Sequence, residues 1–113
     1  MDCRSSMAHL TDPTAQIVQF KYGECTIKFE QAVDGRITRT VKVPMEIWSG
    51  AVEGNLVVVV GEEPNCVAFV DGAAGRVTQH TTDGFEEDQP CGVGISHSMQ
   101  LVAIGTDNGW WWL

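Results

Sequence analysis

The sequence predicts a mostly-β fold: a single antiparallel β domain, a small barrel or a sandwich, with little helix. Three observations carry this expectation. First, Leu56-Val57-Val58-Val59-Val60 stand in a row between Asn55 and Gly61. Four of these five are valine, stiff at χ1 and suited to a pleated surface, and the run is too short for a helix or a membrane span. A strand with no polar residue is buried on both faces, so something must cover each side. Second, residues 25–31 and 37–43 alternate apolar and polar around Asp34-Gly35. Third, Gly, Asn, Asp and Pro punctuate the chain at short intervals, which spaces about seven to nine strands.

Composition sets the outer bounds. A chain of 113 residues suggests one domain, and no stretch of 18 apolar residues occurs in it. Residues 1–12 read as a loose polar leader and 13–113 as the domain, with Pro13 at the first position of a possible helical turn capped by Thr11 or Asp12. The first residues lack the basic and apolar regions of a signal peptide, so a cytoplasmic protein with reduced cysteines is expected. Cys3, Cys25, Cys66 and Cys91 are far apart in sequence and form no C-x-x-C motif. Cys25 and Cys66 read as small buried hydrophobes. The formal charge of −8 repels phosphate backbones, so nucleic acid is not an expected partner; the charge reads first as favouring solubility, with steering of a basic protein partner as the alternative.

Element by element, residues 16–22 form a strand with Val18, Phe20 and Tyr22 on its core face. The next two strands make the best-defined hairpin. A two-residue loop at Asp34-Gly35 would set Ile27 opposite Lys42 and turn core residues to solvent. A three-residue loop, with Gly35 left-handed, pairs Ile27 with Val41, Cys25 with Val43 and Phe29 with Arg39. It also gathers Lys28–Thr40, Thr26–Lys42 and Glu30–Thr38 on the outer face. A one-residue slip flips every side chain, so the pattern selects this second register. Arg39 then lies beside Phe29, its stem on the ring and its guanidinium reaching water. A buried functional arginine is the alternative.

Residues 45–52 read as a short strand with a bend at Gly50, one helical turn after Pro44 being the other option. After the valine run, 61–65 turns and 66–70 is again apolar on both faces, so it should neighbour the central strand. Residues 76–81 are a more polar strand nearer an edge. The acidic stretch 82–89 is expected to be the most mobile loop. Strands at 92–96 and 101–105 pair around 97–100, and Asp107-Asn108-Gly109 turns into a last strand beginning at Trp110.

A weak repeat runs through the second half. Leu56-Val57-Val58-Val59-Val60-Gly61 and Leu101-Val102-Ala103-Ile104-Gly105 match as strand, glycine and turn, 45 residues apart. The stretch 94–109 resembles part of a WD40-type propeller blade. It lacks the Gly-His and Trp-Asp signatures, and two such units do not close a propeller, so the likeness implies shared hairpins and not family membership.

No catalytic or cofactor motif stands out. The most unusual feature is Trp110-Trp111-Trp112. In a strand, Trp110 and Trp112 share one face, which is a core closed by the last strand, a subunit or partner interface, or a stacking platform for a ring-bearing ligand. Trp48 joins the candidate binding residues, as do Arg39, His80 and His97. No two histidines stand in metal spacing. His97 between Ser96 and Ser98 is no catalytic pair, since strand neighbours point to opposite faces. Residues 83–88 lack the EF-hand pattern, and Gly92-Val93-Gly94 lacks the third glycine of a dinucleotide turn. Neither a metal nor a cofactor is expected. The leading expectation is a non-enzymatic, acidic, self-associating interaction protein. A β-barrel with an aromatic-lined pocket for a small ligand is the alternative. An enzyme built from two of Arg39, His80, His97 and the 83–88 loop converging in one cleft is the third.

Overall fold

The computed structural model describes residues 4–5 and 16–112. Among them it contains eleven strands and no helix. The strands are β1 (Arg4–Ser5), β2 (Gln16–Lys21), β3 (Thr26–Gln31), β4 (Ile37–Lys42), β5 (Glu46–Glu53), β6 (Leu56–Glu62), β7 (Cys66–Asp71), β8 (Arg76–Thr81), β9 (Pro90–Ser96), β10 (Leu101–Thr106) and β11 (Gly109–Trp112). Within the expected leader, Arg4–Ser5 pair with β2, while the possible turn at Thr11–Pro13 lies outside the described residues.

The strands follow chain order in three antiparallel sheets: β1-β2-β3-β4, β5-β6-β7-β8 and β9-β10-β11. The sheets stack face to face and none closes on itself, so the sandwich expectation holds and the barrel expectation does not. The physical reason is the valine strand. Every residue from Val57 to Gly61 is buried, and the two faces of β6 serve two different cores. Val57 and Val59 join Val18, Phe20, Ile27, Phe29 and Val41 between the first and second sheets. Val58 and Val60 join Val67, Phe85, Val102 and Ile104 between the second and third. A barrel wall has one interior face; a middle sheet has two. The 45-residue repeat marks corresponding strands, since Leu56 opens β6 and Leu101 opens β10, each following the first strand of its sheet.

The β3–β4 hairpin keeps the expected core register: Ile27 faces Val41 and Phe29 faces Arg39, with Thr26–Lys42 and Lys28–Thr40 on the outer side. Gly35 takes the left-handed conformation at φ +72°. The loop differs from expectation. Gln31 N–H donates to Arg36 O at 2.8 Å and closes a turn of residues 32–35. Glu30 therefore faces Ile37, not Thr38. Thr38 becomes a bulge whose hydroxyl donates to Phe29 O at 3.1 Å. One extra residue in the turn is absorbed by one extra residue in the strand, and the core faces stay aligned.

The strand expected over 45–52 is β5, Glu46–Glu53. Its irregularity is a bulge at Trp48, because Ile47 pairs with Gly61 and Ser49 with Val60. Gly50 is needed for a close approach: a Cβ there would lie 2.7 Å from Phe20 Cζ and 2.9 Å from Val58 O.

The 82–89 loop departs from its expected mobility. Phe85 is 1% exposed and seals the core between the second and third sheets. Asn65 Nδ2 donates to Phe85 O at 2.8 Å, and the Thr106 hydroxyl donates to Asp88 Oδ2 at 2.8 Å. An acidic sequence concealed one apolar anchor.

Candidate functional site

The two ends of the stack are chemically unlike. The outer face of the first sheet carries Gln19, Lys21, Thr26, Lys28, Thr40 and Lys42, set by alternation and by the rows Gln19–Lys28–Thr40 and Thr26–Lys42. All three lysines of the chain lie there. This is a solvated face.

The outer face of the third sheet carries no charged residue among the described side chains. Val102 and Ile104 point inward to the core, with Val93 and Ile95 packed beside them. Alternation therefore turns Gly92, Gly94 and Ser96 of β9, and Leu101, Ala103 and Gly105 of β10, outward. Register aligns Trp110 with Gly105 and Gly105 with Gly92, and it aligns Ala103 with Gly94. The Trp110 indole lies over Gly105, where an added Cβ would be 3.1 Å from ring atoms Cη2 and Cζ3. A glycine beneath an aromatic ring on a sheet is a known cross-strand pairing. The ring is still 65% exposed. Above Gly92 and Gly94 a Cβ would meet nothing within 4 Å. The face thus has a bulky aromatic edge along β11 and an empty edge along β9. Met99, in the turn between β9 and β10, is exposed as well.

The other sequence candidates are dispersed. Trp111 and Trp112 continue β11 opposite Ile104 and Ala103, but their side chains lie outside the described residues. Trp48 is half-buried at its bulge and meets Tyr22 edge to face, ring centroids 4.5 Å apart. Arg39 is half-buried, and part of its guanidinium is tied to backbone while its contact with Ala73 stays exposed. Its Nη1 donates to Ala73 O at 2.8 Å and Gly72 O at 3.3 Å, and its stem lies over Gly75. It fastens the β7–β8 loop to the first sheet, a structural task. His80 is exposed on the edge strand β8 opposite Ala68, and His97 is exposed in the β9–β10 turn. Arg39 meets the start of β8 while His80 sits near its end, roughly 16 Å along the strand. The 82–89 loop is anchored in the other core. Arg39 and His80 therefore do not converge in one cleft.

Two further observations concern chemistry. Burial pushes the Cys66 thiol up from its ordinary range, against a smaller opposing hydrogen bond with the Thr81 backbone, as befits a small core residue. Among the described residues no group of three or more His, Cys, Asp or Glu side chains is placed to hold a metal ion, and no helix is long and apolar enough to cross a membrane. A shallow depression on the first sheet, lined by Gln19, Phe20, Lys21, Glu24, Thr26 and Lys28, offers about 40 Å³. That is far below the roughly 300–1,000 Å³ of a small-molecule site.

Comparison with known proteins finds no family model and no curated protein that matches the chain. The class that can be stated is architectural: a three-sheet antiparallel β stack with one charged end face and one uncharged, aromatic-edged end face.

Proposed function

We propose that the chain is a non-enzymatic interaction protein that self-associates through the outer face of its third sheet. The observation that carries this reading is Trp110, two-thirds exposed on a face without a charged residue, in a chain of formal charge −8. Large exposed aromatics on uncharged patches are the residues that dominate association energies. The alternative of an aromatic-lined pocket in a barrel has less support, since none of the three sheets closes on itself. A cytoplasmic setting accords with Cys25, Cys66 and Cys91 being free thiols.

Sedimentation equilibrium over a wide concentration range tests the reading. Mass should rise with concentration, and Trp110→Ala should suppress the rise. A wild-type chain that remains monomeric up to about 500 μM, near the weak end of specific association, would refute it.

A further inference from the structure

We propose that Asn108 is a site of spontaneous covalent modification: the backbone nitrogen of Gly109 attacks the Asn108 side-chain carbonyl carbon, and the products, aspartate and isoaspartate, loosen the β10–β11 hairpin.

The chemistry starts from the dipeptide. The chain has three asparagines, Asn55, Asn65 and Asn108, followed by Leu56, Cys66 and Gly109. Attack on an asparagine side chain by the next residue's nitrogen closes a cyclic imide. A side chain on that next residue crowds the approach, and glycine has none. The space beside Gly109 is open, since an added Cβ would meet nothing within 4 Å. Its φ of +134° is a conformation that other residues rarely adopt, so the turn itself selects glycine here.

Placement supplies the rest. Asn108 and Gly109 are exposed in the turn from β10 into β11. The Asn108 backbone N–H donates to the Thr106 hydroxyl oxygen at 3.2 Å, but among the described residues its side-chain amide has no hydrogen bond. The carboxamide is therefore free to rotate toward the Gly109 nitrogen. The other asparagines lack this combination. Asn65 Nδ2 donates to Phe85 O at 2.8 Å, and Cys66 after it is buried and paired with Gly61. Asn55 is exposed, but Leu56 after it is bulky, half-buried and paired with Glu53 and Asp71. Asp34 and Asp71 also precede glycines. A carboxylate is a poorer electrophile than an amide, and both are held, accepting from Arg36 N–H at 3.0 Å and Ala73 N–H at 2.8 Å.

The step needs only water. The Gly109 nitrogen gives up its proton and bonds to Asn108 Cγ. The Cγ–Nδ2 bond breaks, and the departing nitrogen takes up a proton and leaves as ammonia. Water then opens the imide. Cleavage at Cγ gives aspartate. Cleavage at the Asn108 backbone carbonyl gives isoaspartate, whose main chain runs through the former side chain.

The consequence lies in the hairpin. Only Asp107 and Asn108 separate the paired residues Thr106 and Gly109. Isoaspartate adds a methylene to that short loop, and loop length fixes a hairpin's register. The Thr106–Gly109 and Gly105–Trp110 pairs are the first to lose alignment, and with them the seat of the Trp110 ring over Gly105.

The test incubates the full chain at body temperature and mildly alkaline pH, followed by peptide mapping in a mass spectrometer and by enzymatic methylation of isoaspartate. Asn108 should convert at least about tenfold faster than Asn55 or Asn65, at a rate that rises with pH, and give both products. Equal rates at the three asparagines would overturn the assignment of the site. Aspartate without isoaspartate would mean direct hydrolysis and would overturn attack by Gly109. Melting of the isoaspartate fraction is then compared with that of Asn108→Asp, which carries the same charge on an unaltered main chain. The isoaspartate chain should melt at least a few degrees lower, and equal melting would overturn the loosening of the hairpin. Asn108→Ser keeps a small polar residue in the turn and should come through the same incubation with its mass and melting unchanged; if it ages like the wild type, the reaction lies elsewhere and the proposal fails.

Discussion

Replacing Phe85 with alanine should remove a large part of this protein's stability, although the residue sits in a loop of mostly polar and acidic neighbours. The side chain is 1% exposed, between Val58, Val60 and Val67 on one side and Val102 and Ile104 on the other. A buried phenylalanine withdraws roughly 150–250 Å² from water, worth about 4–6 kcal/mol at ~25 cal/mol per Å². Residual compactness of the unfolded chain lowers this to about 2–5 kcal/mol. The cavity left behind keeps the loss within the ~3–5 kcal/mol usual for Phe→Ala in a core. Against a total of ~5–15 kcal/mol for a domain, the variant would be marginal. Urea unfolding followed by tryptophan fluorescence gives the loss directly. A glutamate-specific protease gives a second reading, because the unanchored loop should be cut at Glu86 or Glu87 much faster than in the wild type. A stability loss under ~1 kcal/mol with unchanged proteolysis would refute the idea that Phe85 seals the second core.

Two smaller perturbations test other contacts. Gly50→Ala forces a methyl to 2.7 Å from Phe20 Cζ and 2.9 Å from Val58 O. It should cost ~1–3 kcal/mol, the usual range for overpacking, whereas Gly94→Ala on the open face should be near neutral; equal melting temperatures would contradict the close approach of the first two sheets. Glu46 titrates above the ordinary 4.5 because Glu63 hydrogen-bonds to it and repels its charge, with smaller contributions from burial and from Glu62. The folded chain therefore holds this proton more readily than the unfolded chain. Its contribution to stability is fully present below 4.5 and is lost as pH rises through the raised value. Glu63→Gln should accordingly raise the melting temperature near neutral pH at low salt and give little gain below 4.5; an equal gain at both would count against carboxylate repulsion.

Much of the fold was legible because strand alternation reports burial directly. The valine run declared a strand covered on both sides, and the Ile27–Val41 register followed from keeping core residues on one face. The sequence pattern did not choose between barrel and stack, since both bury alternate residues; the choice depends on which sheet each strand joins. Eleven strands also exceed the seven to nine expected from turn spacing, and the very short β1, inside the expected leader, carries no strand pattern. Phe85 was hidden by its charged neighbours, and only the isolation of one aromatic within them hinted at an anchor. Arg39 was placed correctly beside Phe29, but its partners, the carbonyls of Gly72 and Ala73, are distant in sequence. At the candidate face, Trp110 could be singled out by composition. The empty glycine edge opposite it could not, because Gly92 and Gly94 read equally well as ordinary strand or turn glycines until the register with β10 was known. The three lysines fall on one face by alternation, a pattern the sequence did contain.

β6 also decides how this protein comes apart. Its two faces belong to separate cores, thirteen buried residues on one side and six on the other. Peeling away the third sheet strips Val58 and Val60 but leaves Val57 and Val59 sealed within the larger cluster. Losing the first sheet removes Val18, Phe20, Ile27, Phe29 and Val41 from that cluster and uncovers Val57 and Val59. Failure therefore has a direction. If the smaller core opens first, hydrogen exchange should find the amides of β9–β11 less protected than those of β2–β7.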